Sequence, residues 1–263
     1  MKWFERWFDT EYYHLLYKHR NYEEASVFIG KLLDFLALNP GDKAVDIGCG
    51  KGRHSMVLAE LGLQVLGLDL SENSIAFARK QKEELQIANV DFLVHDMREK
   101  YPIDGLQAVF NLFTSFGYFD DSNDDRLALS AMADSLADSG FVVQDYLNAA
   151  PLVARANEGV LQPLEWQIIE GVKFGIEKFI ADGKIFKRIL VEDLRASLDI
   201  EQPRTFEFQE EVKIYTPEAL QSLHSNSGLC VVKIFGNYNL DEFNKDFSPR
   251  IIVVSKKNSI LPT

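Results

Sequence analysis

Cysteine is scarce in this 263-residue chain. Cys49 and Cys230 are too few for the disulfide framework of a small secreted domain. Histidine is scarce as well: the five, at positions 14, 19, 54, 95 and 224, include no His-x-x-x-His and no Cys/His pairing, so no metal site is expected. Positive charge is in deficit. With 28 Lys and Arg against 40 Asp and Glu, the net charge of −12 offers no general attraction to phosphate backbones or anionic lipid, which argues against nucleic-acid and membrane partners. Long hydrophobic runs are missing, and the apolar N-terminus is broken by Lys2, Glu5, Arg6 and Asp9 before it reaches export or membrane-spanning length. A cytoplasmic location is expected on these grounds.

What is present is a strand-like run that breaks into glycines, Ala44-Val45-Asp46-Ile47-Gly48-Cys49-Gly50-Lys51-Gly52-Arg53-His54-Ser55. An apolar run with one acid, a glycine loop and helix-compatible sequence together form a first βα unit, where open α/β sheets bind small ligands. Spacing narrows the ligand. A dinucleotide fingerprint needs glycine at the sixth position from Gly48, where Arg53 stands, and no Gly-x-x-x-x-Gly-Lys-Ser/Thr phosphate loop occurs.

Strands then alternate with helices. Strand signals at Lys43 to Ile47, Gln64 to Asp69, Val90 to Val94, Leu106 to Leu112 and Phe141 to Asp145 predict a doubly wound, mainly parallel sheet, completed by Leu229 to Phe235 and Arg250 to Ser255. Residues 163–215 change texture to alternating and β-branched runs. Asp182-Gly183 between two of these runs is a strong hairpin signal, and residues 151–215 are expected to form an antiparallel β insertion. The predicted division is an N-terminal helical segment over 1–38, a core over 39–150 and 216–263, and the insertion. Trp3, Phe4, Trp7, Phe8, Tyr12, Leu15 and Leu16 recur near the helical period, so this first segment wants an apolar partner: either the mouth of an active site, as a lid, or the core.

Val45-Asp46-Ile47-Gly48-Cys49-Gly50-Lys51-Gly52 resembles motif I of the class I S-adenosylmethionine-dependent methyltransferases. The resemblance extends to an acid ending strand two, Asp69, and to Asp96-Met97 after strand three. It implies a seven-stranded Rossmann-like methyltransferase sheet, S-adenosylmethionine as cofactor and S-adenosylhomocysteine as product. It further implies that Gly48, Cys49 and Gly50 admit the methionine end, that Asp46 attracts its ammonium, and that Asp69, beside Leu70, holds the ribose hydroxyls. Asp96 would accept the adenine amino group while Met97 packs the purine, and Asn111 and Phe113 would meet the sulfonium. The segments 49–55 and 113–119 are similar to a bacterial small-molecule-type subgroup with an N-terminal lid and a β insertion. In lidded relatives an arginine and tyrosines reach the cofactor carboxylate; Arg20, Tyr13 and Tyr17 are the candidates here.

The implied reaction is in-line displacement at the methyl carbon, dominated by alignment, with a base required only where the acceptor must lose a proton. His14, Tyr17, Tyr118 and Asp145 are the candidate bases or orienting groups. A small-molecule acceptor is expected. The alternatives are a protein or RNA methyltransferase, and a non-catalytic cofactor-binding or partner-binding protein on the same fold. The acceptor atom and the oligomeric state are open at this stage.

Overall fold

The computed structural model describes residues 3–18, 22–195 and 203–258. Arg20 lies outside the described residues. The chain divides into two compact units, Met1–Arg20 with Ala149–Ile214, and Asn21–Asn148 with Tyr215–Thr263. In chain order the first unit contributes α1 (Trp3–Trp7) and α2 (Glu11–Leu16). The second begins at α3 (Tyr22–Leu36) and continues through β1 (Lys43–Ile47), α4 (Arg53–Glu60), β2 (Gln64–Asp69), α5 (Glu72–Leu85), β3 (Val90–Val94), β4 (Leu106–Asn111), α6 (Ser122–Ser135) and β5 (Leu136–Leu147). The chain then returns to the first unit for α7 (Ala150–Val153) and β6 (Val160–Ile169), β7 (Val172–Ala181), β8 (Lys184–Asp193) and β9 (Arg204–Lys213). α8 (Pro217–Asn226), β10 (Leu229–Phe235) and β11 (Arg250–Lys257) close the second unit.

The second unit is built on a seven-stranded sheet in the order β10-β11-β5-β4-β1-β2-β3. β1 pairs in parallel with both β2 and β4, so the strand order reverses at β1. That switch point opens a crevice beyond the carboxyl ends of β1 and β4, where ligands bind in such sheets. β11 runs antiparallel to both of its neighbours. Its core strands read as continuous apolar runs because both faces are covered: Val45, Ile47, Ala108, Val109, Phe110, Val142 and Val143 are all buried. α3 buries Ala25, Phe28, Ile29, Leu32, Leu33 and Leu36, a stripe of helical period, within the same core as Met56, Leu58 and Phe92.

β5 begins five residues earlier than its sequence signal. Ser139-Gly140 reads as a turn, yet the chain is already in the sheet, because Gly140 lies against the backbone of Leu106 where a Cβ would come within 2.5 Å of its carbonyl oxygen.

In the first unit β6, β7, β8 and β9 form a four-stranded antiparallel sheet in that order. The Asp182-Gly183 turn joins β7 to β8, with both residues at positive φ (46° and 71°), as a tight hairpin requires. The expected single N-terminal helical segment is in fact divided between the units. Trp7, Tyr12 and Leu16 pack against Val172, Phe174, Ile176, Ile189 and Val191 of the antiparallel sheet, whereas α3 belongs to the parallel core. Helices as short as α1 and α2 cannot hold themselves in water, and an apolar sheet face supplies what they lack.

Candidate active site

β1 carries Asp46 one residue before its end. The side chain is buried and accepts a hydrogen bond from Ser55 Oγ at 2.6 Å. Burial pushes its pKa up to about 6, with the Asp69 charge adding to the rise and the Ser55 bond opposing it. A buried acid beside a glycine loop is poised to take a cationic partner.

The loop that follows is shaped by close approach. Gly48 has φ 70°, and a Cβ there would stand 2.6 Å from that of Ser115. Gly52 has φ 79° and would drive a Cβ to 2.5 Å from the Phe92 ring. Gly50 differs: φ is 55°, but nothing lies within 4 Å of its virtual Cβ, so this glycine leaves open space above the loop. Cys49 between them is buried, and burial raises its thiol well above the usual range, which removes it as a nucleophile. Asp69, at the end of β2, accepts from the Gly50 amide at 2.8 Å on Oδ2 and from the Ser71 amide at 2.9 Å on Oδ1. A carboxylate oxygen can accept more than one hydrogen bond, and a pair of such oxygens matches the two hydroxyls of a vicinal diol. Leu70 beside it is exposed.

Asp96 sits after β3 in a charged cluster. Arg98 donates to both of its oxygens, from Nε at 3.0 and 3.2 Å and from Nη2 at 2.6 Å, and reaches Asp124 at 3.0 Å. These bonds hold the Asp96 carboxyl below its ordinary value. An adenine amino group would therefore share the carboxylate with Arg98. Met97 is half-buried next to it.

The exit of β4 is tied to the glycine loop. Asn111 Nδ2 donates to the carbonyl oxygens of Ile47 and Ser115, both at 3.1 Å, and Ser115 Oγ donates to that of Gly48 at 3.3 Å. Asn111 Oδ1 is buried with no hydrogen-bond partner among the described residues. Phe113 and Thr114 then both adopt left-handed φ, 62° and 64°. For residues bearing a Cβ this costs about 1–3 kcal/mol each, and such strain gathers at ligand sites. Phe113, with Glu24, Ala25, Phe28, Arg53, His54 and Tyr238, lines a small, partly open pocket. Its ring attracts cations: the Arg53 guanidinium stands 5.1 Å from its centroid.

The candidate bases fall in different places. Asp145 is wholly buried at the β5 end, with Oδ1 accepting from Arg250 Nε at 2.7 Å and Oδ2 from the Phe113 amide at 2.9 Å and the Tyr238 hydroxyl at 3.1 Å. That is the geometry of an anchor and not of a proton acceptor. The Tyr118 hydroxyl donates to the Thr114 carbonyl. In the other unit, Tyr17 donates to Glu210 at 2.7 Å and receives Lys187 at 2.5 Å, and Tyr13 packs edge-on against Trp7, Phe8 and His14. Arg250 and Tyr238 were missed by sequence reasoning, since no local pattern joins them to Asp145, about a hundred residues earlier.

The site's acceptor groups fit S-adenosylmethionine: a buried acid for an ammonium, a loop with open space at Gly50, a strand-end carboxylate for a diol, and a buried oxygen at Asn111 that is unpartnered among the described residues. A family model described as a methyltransferase domain matches residues 38–193, more than half of the chain. The chain belongs to the class I S-adenosylmethionine-dependent methyltransferases. Among curated proteins, the chain is 27% identical over 142 residues to a protein of Geobacillus sp. (strain WCH70) named as a methyltransferase, covering 54% of this chain and 55% of that protein. It therefore spans about half the length of that relative. Among solved structures it resembles an S-adenosylmethionine-dependent methyltransferase of Clostridium acetobutylicum ATCC 824, with a TM-score of 0.78 and 18% identity over 94% of this chain and 96% of that one. The sugar N-methyltransferase KedS8 of Streptoalloteichus sp ATCC 53650 gives 0.72 and 17%, over 94% and 93%. At such identities the likeness to the solved structures is one of fold.

Proposed function

We propose that the methyltransferase moves a methyl group from S-adenosylmethionine to a small-molecule acceptor. When bound, the cofactor supplies a methyl already activated on a sulfonium, so the protein's task is alignment and exclusion of water. Asp46 takes the ammonium of the methionine end, the loop at Gly48 and Gly50 admits its backbone, and Asp69 accepts from the ribose hydroxyls. Asn111 and Phe113 form the wall beside the sulfur. The cleft of Phe28, Phe113, Tyr238, Arg53 and His54 receives the acceptor.

One observation carries the small-molecule reading: Phe113 at the β4 exit lines a partly open pocket together with Phe28, Tyr238, Arg53 and His54, an aromatic setting with few polar groups of the kind that receives small organic molecules. The charge of −12 supports it against RNA. That a solved neighbour is named as a sugar N-methyltransferase is consistent with it. The test is methyl transfer from isotopically labelled cofactor into a cell extract separated into dialysable and macromolecular fractions. Label in the dialysable fraction supports the proposal; label retained only in protein or RNA overturns it.

A further inference from the structure

The turn that closes β4 is held in a shape that its own residues disfavour. Phe113 and Thr114 lie at φ 62° and 64°, and Thr114 is β-branched, for which left-handed backbone is a genuine outlier. Within the segment the Ser115 hydroxyl donates to the Leu112 carbonyl at 3.0 Å and the Tyr118 hydroxyl to that of Thr114, and further restraint comes from groups elsewhere.

Those groups converge from three places. From β5, the Asp145 carboxylate accepts the Phe113 amide at 2.9 Å and the Asp145 carbonyl accepts the Thr114 amide at 3.0 Å. From β11, Arg250 Nη2 donates to Thr114 Oγ1 at 2.7 Å while its Nε grips Asp145 Oδ1 at 2.7 Å. From the β10–β11 connection, the Tyr238 hydroxyl donates to Asp145 Oδ2 at 3.1 Å. The Tyr238 ring stacks on that of Phe113 with centroids 6.1 Å apart and planes at 20°, and Phe28 packs against Tyr238 at 4.6 Å. Backbone and ring are thus clamped by the same set of residues. On its far side the turn joins the glycine loop through Ser115 and Gly48, where a Cβ on Gly48 would clash.

We infer that Asp145, Arg250 and Tyr238 are positioning residues for methyl transfer, which hold the strained Phe113–Thr114 turn so that the Phe113 ring and the neighbouring carbonyl oxygens face the sulfonium. The inference rests on the proposed reading of the β4 exit as the sulfonium wall. Strain stored in a turn is released when a clamp is removed, and the ring then leaves its place. A sulfonium is a cation that favours aromatic faces and carbonyl dipoles, while the thioether of the product has the same shape without the charge.

The ratio of affinities for S-adenosylmethionine and S-adenosylhomocysteine therefore reads the wall itself, and a general loosening of the fold would move both affinities alike. The experiment is calorimetric titration of both ligands into the whole protein and into Phe113→Leu, Arg250→Lys and Tyr238→Phe. All three variants are expected to weaken S-adenosylmethionine by about threefold or more relative to S-adenosylhomocysteine. A ratio that shifts in Phe113→Leu but not in the two clamp variants overturns the positioning role. Equal loss for both ligands in the clamp variants overturns it too, since that is the signature of a purely structural pair. An unchanged ratio in Phe113→Leu overturns instead the reading of the β4 exit. Should Arg250→Lys fail to fold, Tyr238→Phe decides, because it removes one hydroxyl and keeps the stacked ring.

Discussion

The Ser55 hydroxyl donates to the Asp46 carboxylate across 2.6 Å, both groups being buried. This bond, with the Arg53 charge and the Ser55 amide, stands against burial and the nearby Asp69 charge, and the balance leaves Asp46 with a pKa of about 6. If an ionised Asp46 takes the cofactor ammonium, affinity for S-adenosylhomocysteine falls as pH drops through about 6. Ser55→Ala removes the opposing bond and moves that midpoint upward. Calorimetry over a pH range that brackets this value checks both; a pH-independent affinity would remove Asp46 from the site.

Two buried groups pull stability in opposite directions over one acidic window. His224 is held between Gln144 and Ser255 at 2.9 Å each, and burial lowers its pKa to about 4. Its unfolded form protonates first, so stability is complete above about 6.5 and lost as pH falls toward 4. Asp46 has its folded pKa raised from 3.8 to about 6. Its penalty is complete above 6 and relieved as pH falls through that value. Each is on the order of 3 kcal/mol, and the two act against each other in the natural chain. Urea denaturation of Asp46→Asn should show stability falling with acid and a higher midpoint at neutral pH, and His224→Gln should show the opposite slope.

The loop glycines separate fold from ligand. Gly52→Ala meets the Phe92 ring and is expected to cost about 1–3 kcal/mol in stability. Gly50→Ala meets open space, so its stability cost is confined to the left-handed backbone, about 1–2 kcal/mol, while the added methyl stands where the cofactor would approach. Thermal melts with and without S-adenosylhomocysteine distinguish them: Gly50→Ala should keep a folded protein that the ligand no longer stabilises.

Trp7 Nε1 and the Tyr17 hydroxyl both donate to Glu210 at 2.7 Å. Glu210→Ala leaves two donors without their acceptor, at about 1–3 kcal/mol, and α1 and α2 are too short to persist alone. Limited proteolysis should then cut within residues 3–16 earlier than in the natural chain.

Much of this was legible in the chain. Asp46, the three glycines and Asp69 are placed by spacing along two adjacent βα units, and local pattern suffices for them because each sits at a strand end. The hairpin at Asp182-Gly183 is likewise local. What could not be read were contacts closed over long separations and residues working against their own propensity. Nothing near Asp145 announces that Arg250 will neutralise it, and a Phe-Thr pair gives no sign of left-handed backbone. The N-terminal stripe showed its need for an apolar partner, but the antiparallel sheet that meets Trp7 and Tyr12 lies far along the chain. Arg98, which engages Asp96, lies only two residues on, yet no motif marks that pairing.

The central claim is that Asp69 and the glycine loop hold the cofactor. It is tested most directly by titrating S-adenosylhomocysteine into the natural protein and Asp69→Ala, with circular dichroism to confirm that both are folded. Loss of two charge-assisted hydrogen bonds predicts a fall in affinity of about tenfold or more. Full affinity in a folded Asp69→Ala protein would contradict the site as described.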